Sequence, residues 1–332
     1  MDTEDANAGH LLLRNRSLAR RWQSSVPFND MTGNPGPSGR GLPATIPGKT
    51  TVMSSLHRLL AAALVLGSLC FLPGTTHAAQ SYDSCTGFID SVPTTISKAG
   101  VWCLRKDLST NVSSGAAITI AANNVTIDCN DFKLGGLAAG NGSKAKGVHA
   151  DTRQNVVVRH CSVRGFSVGI NLYGGAGHLV EDNRLDNNLE GGIYIVASST
   201  LVQRNRVYDT GGAPETTFTY GIYVMADVID NTVEGVFAAT ANGFAYGIVL
   251  SDPGTLARNN HVSGLVPAGT GKAFGVFSSV EGMTLDGNQI ISTAAVTGAG
   301  ISGVKSACRN NFVSGFSTAA ASCLDVGGNV GF

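Results

Sequence analysis

The protein is a chain of 332 residues with 43 glycines, 14% charged residues and a formal net charge of zero. This composition is typical of a folded, turn-rich protein and not of a disordered one. Lys and Arg do not cluster with aromatic residues beyond residue 80, so the sequence argues against a nucleic-acid partner, which would require a basic surface or stacking rings.

The N-terminal part of the chain has no pattern of a globular core. Residues 1–52 include a Gly/Pro-rich stretch without sustained apolar periodicity, which predicts a disordered or untranslated extension and a true start at Met53. Residues 53–78 have the order of a secretory signal peptide, with an apolar run from Leu59 to Leu72 that is too short to cross a bilayer. If the upstream segment is made, the alternative is an uncleaved N-terminal anchor. We therefore predict a periplasmic or secreted protein with no membrane span after signal cleavage.

The exported part, residues 79–332, contains an even number of cysteines: Cys85, Cys103, Cys129, Cys161, Cys308 and Cys323. An even number without CxxC or His-rich spacing favours disulfides over a metal site in an exported chain. Short loops predict the pairs Cys85–Cys103 and Cys308–Cys323, and the pairing of Cys129 and Cys161 stays open. A lipid anchor at Cys70 is disfavoured because Leu69 precedes it, where a small residue is expected.

A repeated phrase runs through the exported part. LVEDNRL at residues 179–185 returns as LVQRNRV at residues 201–207, and the same frame fits eight positions spaced 22 to 31 residues apart. These positions, which we call anchors, are Asn130, Cys161, Asn183, Asn205, Asn231, Asn260, Asn288 and Asn311. An alternating apolar stretch precedes each anchor, an apolar residue follows two positions later, and a Gly-Ile or Gly-Val pair comes later in the repeat. Alternation over so few residues predicts about three short strands in each repeat.

A unit of this size cannot bury its apolar face alone, so it must stack on its neighbours as an all-β solenoid of about eight coils. Equivalent residues then lie about 4.8 Å apart, one above another. The anchor asparagines would hydrogen-bond to each other in a ladder, in a tight turn where Asn tolerates left-handed backbone angles. Among the residues two positions before the anchors, charges of opposite sign are usually adjacent, which predicts an outward salt-bridge face.

The repeat carries a family resemblance. Stacked N-V-x-Φ-x-x-N/C-x-Φ phrases with Gly-Ile strands, preceded by TISKAGVWCLRKDLSTNVSSGAAITIAANNVTIDCNDFKLGG, resemble the pectin-lyase-like superfamily, close to exported members with periplasmic NosD-type repeats. The resemblance covers residues 85–330 and implies a single-stranded right-handed parallel β-helix with an N-terminal cap at 81–123. It also implies a working cleft along the outside of the Gly-Ile sheet, flanked by turns of varying length. The fold itself hosts lyases, hydrolases, epimerases, adhesins and assembly factors.

The residue after each Gly-Ile or Gly-Val pair should point outward on this sheet. These residues are His149, Asn171, Tyr194, Tyr223, Val249, Phe277 and Ser302. They lack the clustered carboxylates that Ca²⁺ coordination or glycosidase chemistry needs. We therefore expect no metal and no cofactor, with Ca²⁺ to be considered only if the protein is a lyase.

Candidate site residues gather near the first of these strands. His149, Asp151 and Arg153 are the candidate catalytic residues, with Asp151 expected to orient His149 as a base. Candidate substrate-binding residues in the coils that follow are Asn171, Tyr173, Glu190, Tyr194 and Tyr223. Tyr194 and Tyr223 are expected to stack with exposed faces and polar tips, which suits sugar rings. The alternatives are simple packing for the tyrosines and an exposed His149 without a role. The neighbouring Tyr220, Tyr246 and Phe274 are expected to form an internal or turn stack.

The leading functional hypothesis is an exported carbohydrate-interacting protein that binds an extended polysaccharide or cell-surface glycan along the Gly-Ile sheet. One alternative is a polysaccharide lyase or glycoside hydrolase acting on an acidic glycan. A second alternative is a non-catalytic structural or adhesive surface protein. The sequence leaves the oligomeric state open.

Overall fold

The computed structural model describes residues 82–331. The expected extension at 1–52 and signal peptide at 53–78 lie outside this range. Within it, no helix is long and apolar enough to cross a membrane. The chain here is almost entirely strand and turn, with a 3₁₀ turn at Leu137–Ala139.

The chain winds into a parallel β-solenoid of about nine coils. Each coil supplies strands to three parallel sheets, which we call sheets 1, 2 and 3. Sheet 1 contains Gly87–Phe88, Gly100–Cys103, Val125–Asp128, Val157–Arg159, Leu179–Glu181, Leu201–Gln203, Asp227–Ile229, Leu256–Arg258 and Thr284–Asp286. Sheet 2 contains Leu108–Ser109, Lys133–Gly135, Ser162–Arg164, Arg184–Asp186, Arg206–Tyr208, Thr232–Glu234 and His261–Ser263. Sheet 3 contains Thr94–Ile96, Ala116–Ile120, Lys146–Gln154, Val168–Ala176, Gly191–Ser198, Phe218–Val224, Phe244–Leu250 and Ala273–Ser278. Two long strands, Gln289–Arg309 and Phe312–Asp325, turn the corners and add the last rungs to all three sheets.

The solenoid has one coil more than the sequence predicts. The segment 81–123, expected as a cap, contains strands that pair in parallel with the following coil, as Thr94 does with Ile118 and Leu108 with Leu134. This segment therefore takes part in the stacking from its first strands onward.

Apolar residues of all three sheets fill the interior. In sheet 3 the stack is Ile118, Val148, Ile170, Ile193, Ile222, Ile248, Val276 and Ile301, all fully buried. In sheet 2 it is Leu134, Val163, Leu185, Val207, Val233, Val262, Ile290 and Val313. Branched side chains suit such positions because they pack well on a pleated surface. The predicted alternation within short strands is confirmed.

The predicted asparagine ladder is present. From Asn183 to Asn311, each anchor Nδ2 donates to the Oδ1 of the next anchor over 2.9–3.1 Å, and the same Oδ1 accepts a bond from the backbone N–H of the preceding anchor. Asn329 extends the ladder by one rung beyond the predicted anchors. The left-handed residue of the turn is the one before each anchor, such as Asp182 or Arg204, and not the anchor itself.

The assignment of Asn130 to the ladder is wrong. The register places Leu134, and not Phe132, in the apolar stack, so four residues instead of two connect sheets 1 and 2 in this coil. Within the longer turn, Cys129 forms a disulfide with the anchor Cys161. Asn130 donates instead to the carbonyl oxygen of Leu104 at 3.0 Å. A covalent cross-link therefore connects the two coils at the start of the ladder.

Two further disulfides tie the ends of the solenoid. Cys85 pairs with Cys103 and Cys308 with Cys323, as predicted from their short loops. The pairing of Cys129 with Cys161, which the sequence leaves open, is formed. All six cysteines of the described residues are therefore in disulfides.

The outer face of sheet 1 carries the predicted charge pattern. The paired column reads Asp128, Arg159, Glu181, Gln203, Ile229, Arg258, Asp286 and Arg309. Arg159 Nε lies 2.8 Å from Asp128 Oδ2, and an Arg309 nitrogen lies 2.9 Å from Asp286 Oδ2. The hydrogen bond from Arg309 holds the pKa of the Asp286 carboxyl below its usual value, and a hydrogen bond from Asn310 and the charge of Arg258 act in the same direction.

Candidate functional site

A column of glycines sets the path of each sheet 3 strand. A Cβ built on Gly192 would lie 2.6 Å from a methyl carbon of Val207 and 2.7 Å from the carbonyl oxygen of Gly221 in the next coil. Gly169 meets the same two kinds of neighbour, one in sheet 2 and one in the coil above. Only glycine, which has no Cβ, fits at these positions. The glycines thus bring sheets 2 and 3 together and fix which of the following side chains point outward.

The predicted outward column on sheet 3 is present. His149, Asn171, Tyr194, Tyr223, Val249, Phe277 and Ser302 are paired directly in consecutive coils. Their exposure differs, because Asn171 and Val249 are buried while His149, Tyr194 and Tyr223 are half-buried. Phe277 and Ser302 are half-buried as well, so the buried Asn171 and Val249 interrupt an otherwise partly accessible column, in which Tyr194 and Tyr223 are adjacent.

The hydrogen bonds of His149 differ from the prediction. Its Nδ1 lies 2.8 Å from Oδ1 of Asn171 in the next coil. Asp151, expected to orient His149, instead accepts a bond from the hydroxyl of Thr152 at 2.9 Å, and Arg153 Nε donates to the backbone oxygen of Asp151 at 2.9 Å. The Asp151–His149 dyad is therefore wrong. Because an amide oxygen can only accept, Nδ1 is the donor in this bond, and in the neutral imidazole Nε2 is then the nitrogen with the lone pair.

Two tyrosines of the column stack on each other. The ring centroids of Tyr194 and Tyr223 lie 5.1 Å apart, with an interplanar angle of 19°. Burial raises the pKa of Tyr194, and Tyr223 adds to the effect. The Tyr194 hydroxyl therefore stays protonated near neutral pH and can both donate and accept a hydrogen bond.

The remaining candidate residues lie around this column. Tyr173, 52% exposed, is paired with Asp151 two positions beyond His149 on the same sheet. Glu190 immediately precedes a sheet 3 strand, and its Oε2 accepts a bond from the Ser167 hydroxyl at 3.1 Å. All the predicted substrate-binding residues thus lie on sheet 3 or directly before one of its strands. Arg153, a candidate catalytic residue, lies near the end of its sheet 3 strand.

An aromatic cluster on the outside of sheet 3 was missed by the sequence reasoning. It comprises Tyr194, Phe218, Tyr220, Tyr223, Phe244, Tyr246, Val249, Phe274 and Phe277, and it is separate from the interior core. Tyr220, expected in an internal or turn stack, is 3% exposed within this outer cluster, and burial raises its pKa well above the usual value. Tyr194 and Tyr223 form one border of the cluster, so they pack on other rings and also keep exposed surface. The signal was available in the repeat of Phe218 and Tyr220 as Phe244 and Tyr246 in the next coil.

The long segments that precede the sheet 3 strands are also stacked. Gly211, Phe237 and Val266 form successive parallel bridges. The hydroxyl of Thr240 donates to the carbonyl oxygen of Thr216 at 2.7 Å. These segments are therefore held in place by the same coil-to-coil pairing as the sheets.

The described residues do not suit a bound metal. Between residues 82 and 331, no three His, Cys, Asp or Glu side chains lie close enough together to hold an ion. Ca²⁺ prefers six to eight oxygen ligands, and the predicted site offers the carboxylates of Asp151 and Glu190 in separate coils. These residues do not fit Ca²⁺.

Comparison with known proteins agrees with this architecture. Residues 107–290 match the family model described as a right handed beta helix region. The chain belongs to the right-handed β-helix family. The match includes the strands that carry the outward column from His149 to Phe277, and it is consistent with the resemblance to the pectin-lyase-like superfamily. Neither the curated proteins nor the solved structures gave a match. Membership establishes the fold on which the site is built, whereas activity has to be argued from the site.

Proposed function

We propose that this right-handed β-helix protein binds an extended polysaccharide along the outer face of sheet 3. The observation that carries the proposal is the half-exposed, stacked pair Tyr194 and Tyr223, which continues the column of His149 and Asn171. Aromatic faces with polar tips suit sugar rings, which present both apolar C–H faces and hydroxyls.

A linear polymer fits this face because the face is itself periodic. Consecutive coils present equivalent positions about 4.8 Å apart, so a chain lying along the solenoid axis meets a similar surface at each step. The buried Asn171 and the hydroxyl of Tyr194 supply directional hydrogen-bonding groups beside the rings. The exposed ring of Tyr173 widens the same face.

The proposal includes export to the periplasm or the cell exterior. Three disulfides within 85–323 support it, because disulfides persist in oxidising compartments and are rare in the cytosol. Reducing the protein and comparing its unfolding midpoint with that of the oxidised form measures how much it depends on that environment.

The test is a binding titration of the purified protein with neutral and acidic polysaccharides. Leucine is the chosen replacement in Tyr194→Leu/Tyr223→Leu, because it keeps apolar volume against the aromatic cluster and removes the rings. We expect the double variant to lose at least tenfold in affinity while keeping its unfolding midpoint. Unchanged affinity for every polymer that the native protein binds would refute the proposal.

A second candidate function is polysaccharide cleavage with His149 as the base. The bond from His149 Nδ1 to Asn171 favours it, because it leaves the lone pair of Nε2 for proton abstraction. The assay records new reducing ends and unsaturated uronide absorbance with each polymer, with and without Ca²⁺. Product that falls at least a hundredfold in His149→Ala, with binding retained, would establish catalysis. Full activity in that variant would exclude His149. If no polymer is either cleaved or bound, a structural or adhesive role is favoured.

A further inference from the structure

The outer face of sheet 2 breaks the charge pattern of sheet 1. On sheet 1 neighbouring charges have opposite signs, as in Asp286 and Arg309. On sheet 2, Arg184 and Arg206 are paired directly in adjacent coils. Like charges in directly opposed positions destabilise a sheet. An arrangement that costs stability without an evident structural benefit, such as two adjacent arginines, points to a functional role.

The two arginines also have few acidic partners. Arg206 forms no ion pair within 4.0 Å among the described residues, and Arg184 reaches Asp186 only at 3.9 Å. Asp186 lies closer to Arg164, at 3.1 Å. By contrast, Arg204 is held by two carboxylates at 2.6 and 2.8 Å. Arg184 and Arg206 therefore present positive charge that the protein itself leaves largely uncompensated.

One tyrosine holds both guanidinium groups in place. The central carbon of the Arg184 guanidinium lies 5.4 Å from the centre of the Tyr208 ring, and that of Arg206 lies 5.3 Å away. Such cation–π contacts stabilise and orient a cation. Arginines whose planar groups are oriented in advance lose less freedom on binding an oxyanion through paired hydrogen bonds.

Two surface grooves meet at Arg184. One, of about 350 Å³, is lined by Arg184, Arg204 and Arg206 together with Ser162. The other, of about 510 Å³, includes Arg164 and Tyr208 and also the acidic residues Asp186, Asp209 and Glu234, so the arginine-rich groove is the first one. Nε of Arg164 is buried without a hydrogen-bond partner among the described residues. A buried donor without a partner is uncommon in folded proteins, and here it lies where the second groove adjoins Arg184.

We propose that Arg184 and Arg206 bind one oxyanion group, a carboxylate or a sulfate ester, of an acidic glycan. A single group fits because Asp131 and Asp182 line the same groove and would repel a dense polyanion such as a nucleic acid. The glycan part of the assignment rests on the proposed function. The oxyanion part rests on sheet 2 alone, which is a different face from the tyrosine column.

The experiment titrates the protein with an oligouronate, a sulfated oligosaccharide and the neutral parent oligosaccharide, and with inorganic sulfate as the bare oxyanion. The test variant is Arg184→Gln/Arg206→Gln. The control is Arg258→Gln, an exposed arginine of the sheet 1 column that forms no ion pair within 4.0 Å among the described residues. Urea midpoints of all variants establish that they are folded.

We expect one of the two acidic probes to bind at low salt, with at least a tenfold loss of affinity in the double variant and no change in Arg258→Gln. The acidic probe should weaken as salt is raised, because exposed charges are screened, and inorganic sulfate should compete with it. Equal affinity of the double variant for the acidic probe, or failure of both acidic probes to bind, would overturn the proposal. Binding of inorganic sulfate alone would overturn the glycan assignment.

The sheet 3 variant Tyr194→Leu/Tyr223→Leu separates this site from the proposed function. This variant should lose binding of the neutral polysaccharide. Its binding of the acidic probe at Arg184 and Arg206, and the competition by inorganic sulfate, should be unchanged. Loss of both activities in that variant would overturn the assignment of two distinct faces.

Discussion

Replacing the buried ladder residue Asn205 with alanine tests how the coils are held together. Asn205 is fully buried, and its Nδ2 donates to the carbonyl oxygen of Val180 at 2.9 Å and to Oδ1 of Asn231 at 3.0 Å. Its Oδ1 accepts from the backbone N–H of Asn183 at 3.1 Å and from Nδ2 of the same residue at 2.9 Å. Alanine removes these four bonds and a fifth, from Nδ2 to the carbonyl oxygen of Gln203 at 3.0 Å, and adds no polar group in their place.

The magnitude follows from the groups left behind. The N–H of Asn183 and the carbonyl of Val180 each lose a buried partner, and an unsatisfied buried group costs about 1–3 kcal/mol. We expect Asn205→Ala to lower the free energy of unfolding by about 3–5 kcal/mol. In a domain of this size each kcal/mol lowers the melting temperature by about 2–4 °C, so a fall of about 10 °C is expected.

The assay is urea unfolding followed by circular dichroism and by tyrosine fluorescence, because repeat arrays can unfold in stages. Asn141→Ala is the matched control, since Asn141 is exposed and makes no hydrogen bond in the described structure. A cost for Asn205→Ala within about 1 kcal/mol of the control would refute the reasoning, because a lost buried hydrogen bond alone should exceed that difference.

Two other predictions concern the glycine column and a buried histidine. Gly192→Ala should destabilise the protein by about 1–3 kcal/mol through overpacking against Val207. Gly142→Ala is the control and should be neutral, because the added Cβ meets nothing within 4 Å. Equal urea midpoints of the two variants would contradict this prediction. His178 is 2% exposed, accepts a backbone N–H at Nδ1 and lies within hydrogen-bond distance of a backbone carbonyl at Nε2, and burial lowers its pKa below 6.5. Below about pH 6.5 the unfolded state binds the proton more readily than the folded state, so the free energy of unfolding should fall with decreasing pH by at most about 1.4 kcal/mol per pH unit. The stability of His178→Gln should depend less on pH. The same pH dependence in both proteins would exclude His178 as its source.

The ladder was predictable because it depends on one periodicity, which the sequence displays directly. Asn183, Asn205 and their successors recur with the same apolar neighbours, and a stacked solenoid places equal positions in contact. Asn130 was misassigned because the frame was aligned on the asparagine itself, while two extra residues in the turn moved Leu134 into the apolar column. An insertion within a turn changes the register without changing the look of the motif.

The candidate site was harder to predict, because its contacts run between coils and not along a strand. His149 and Asp151 share a face of one strand, and that proximity suggested a dyad. The partner is Asn171, which is 22 residues away in sequence and directly adjacent in register. In a parallel solenoid the neighbour one coil away lies about 4.8 Å off, closer than the residue two positions along the same strand at about 6.6 Å.

That geometry also gives the solenoid two outer faces with different chemistry. The interior needs only apolar side chains, so the sequence is free to vary at every outward position without loss of the core. On sheet 3 two adjacent outward positions are tyrosines, and Tyr194 stacks on Tyr223. On sheet 2 two adjacent outward positions are arginines, Arg184 and Arg206. Each sheet makes its own contacts to the next coil, so a substitution on one outer face can leave the other face unchanged. The double tyrosine variant and the double arginine variant can therefore test the two sites independently.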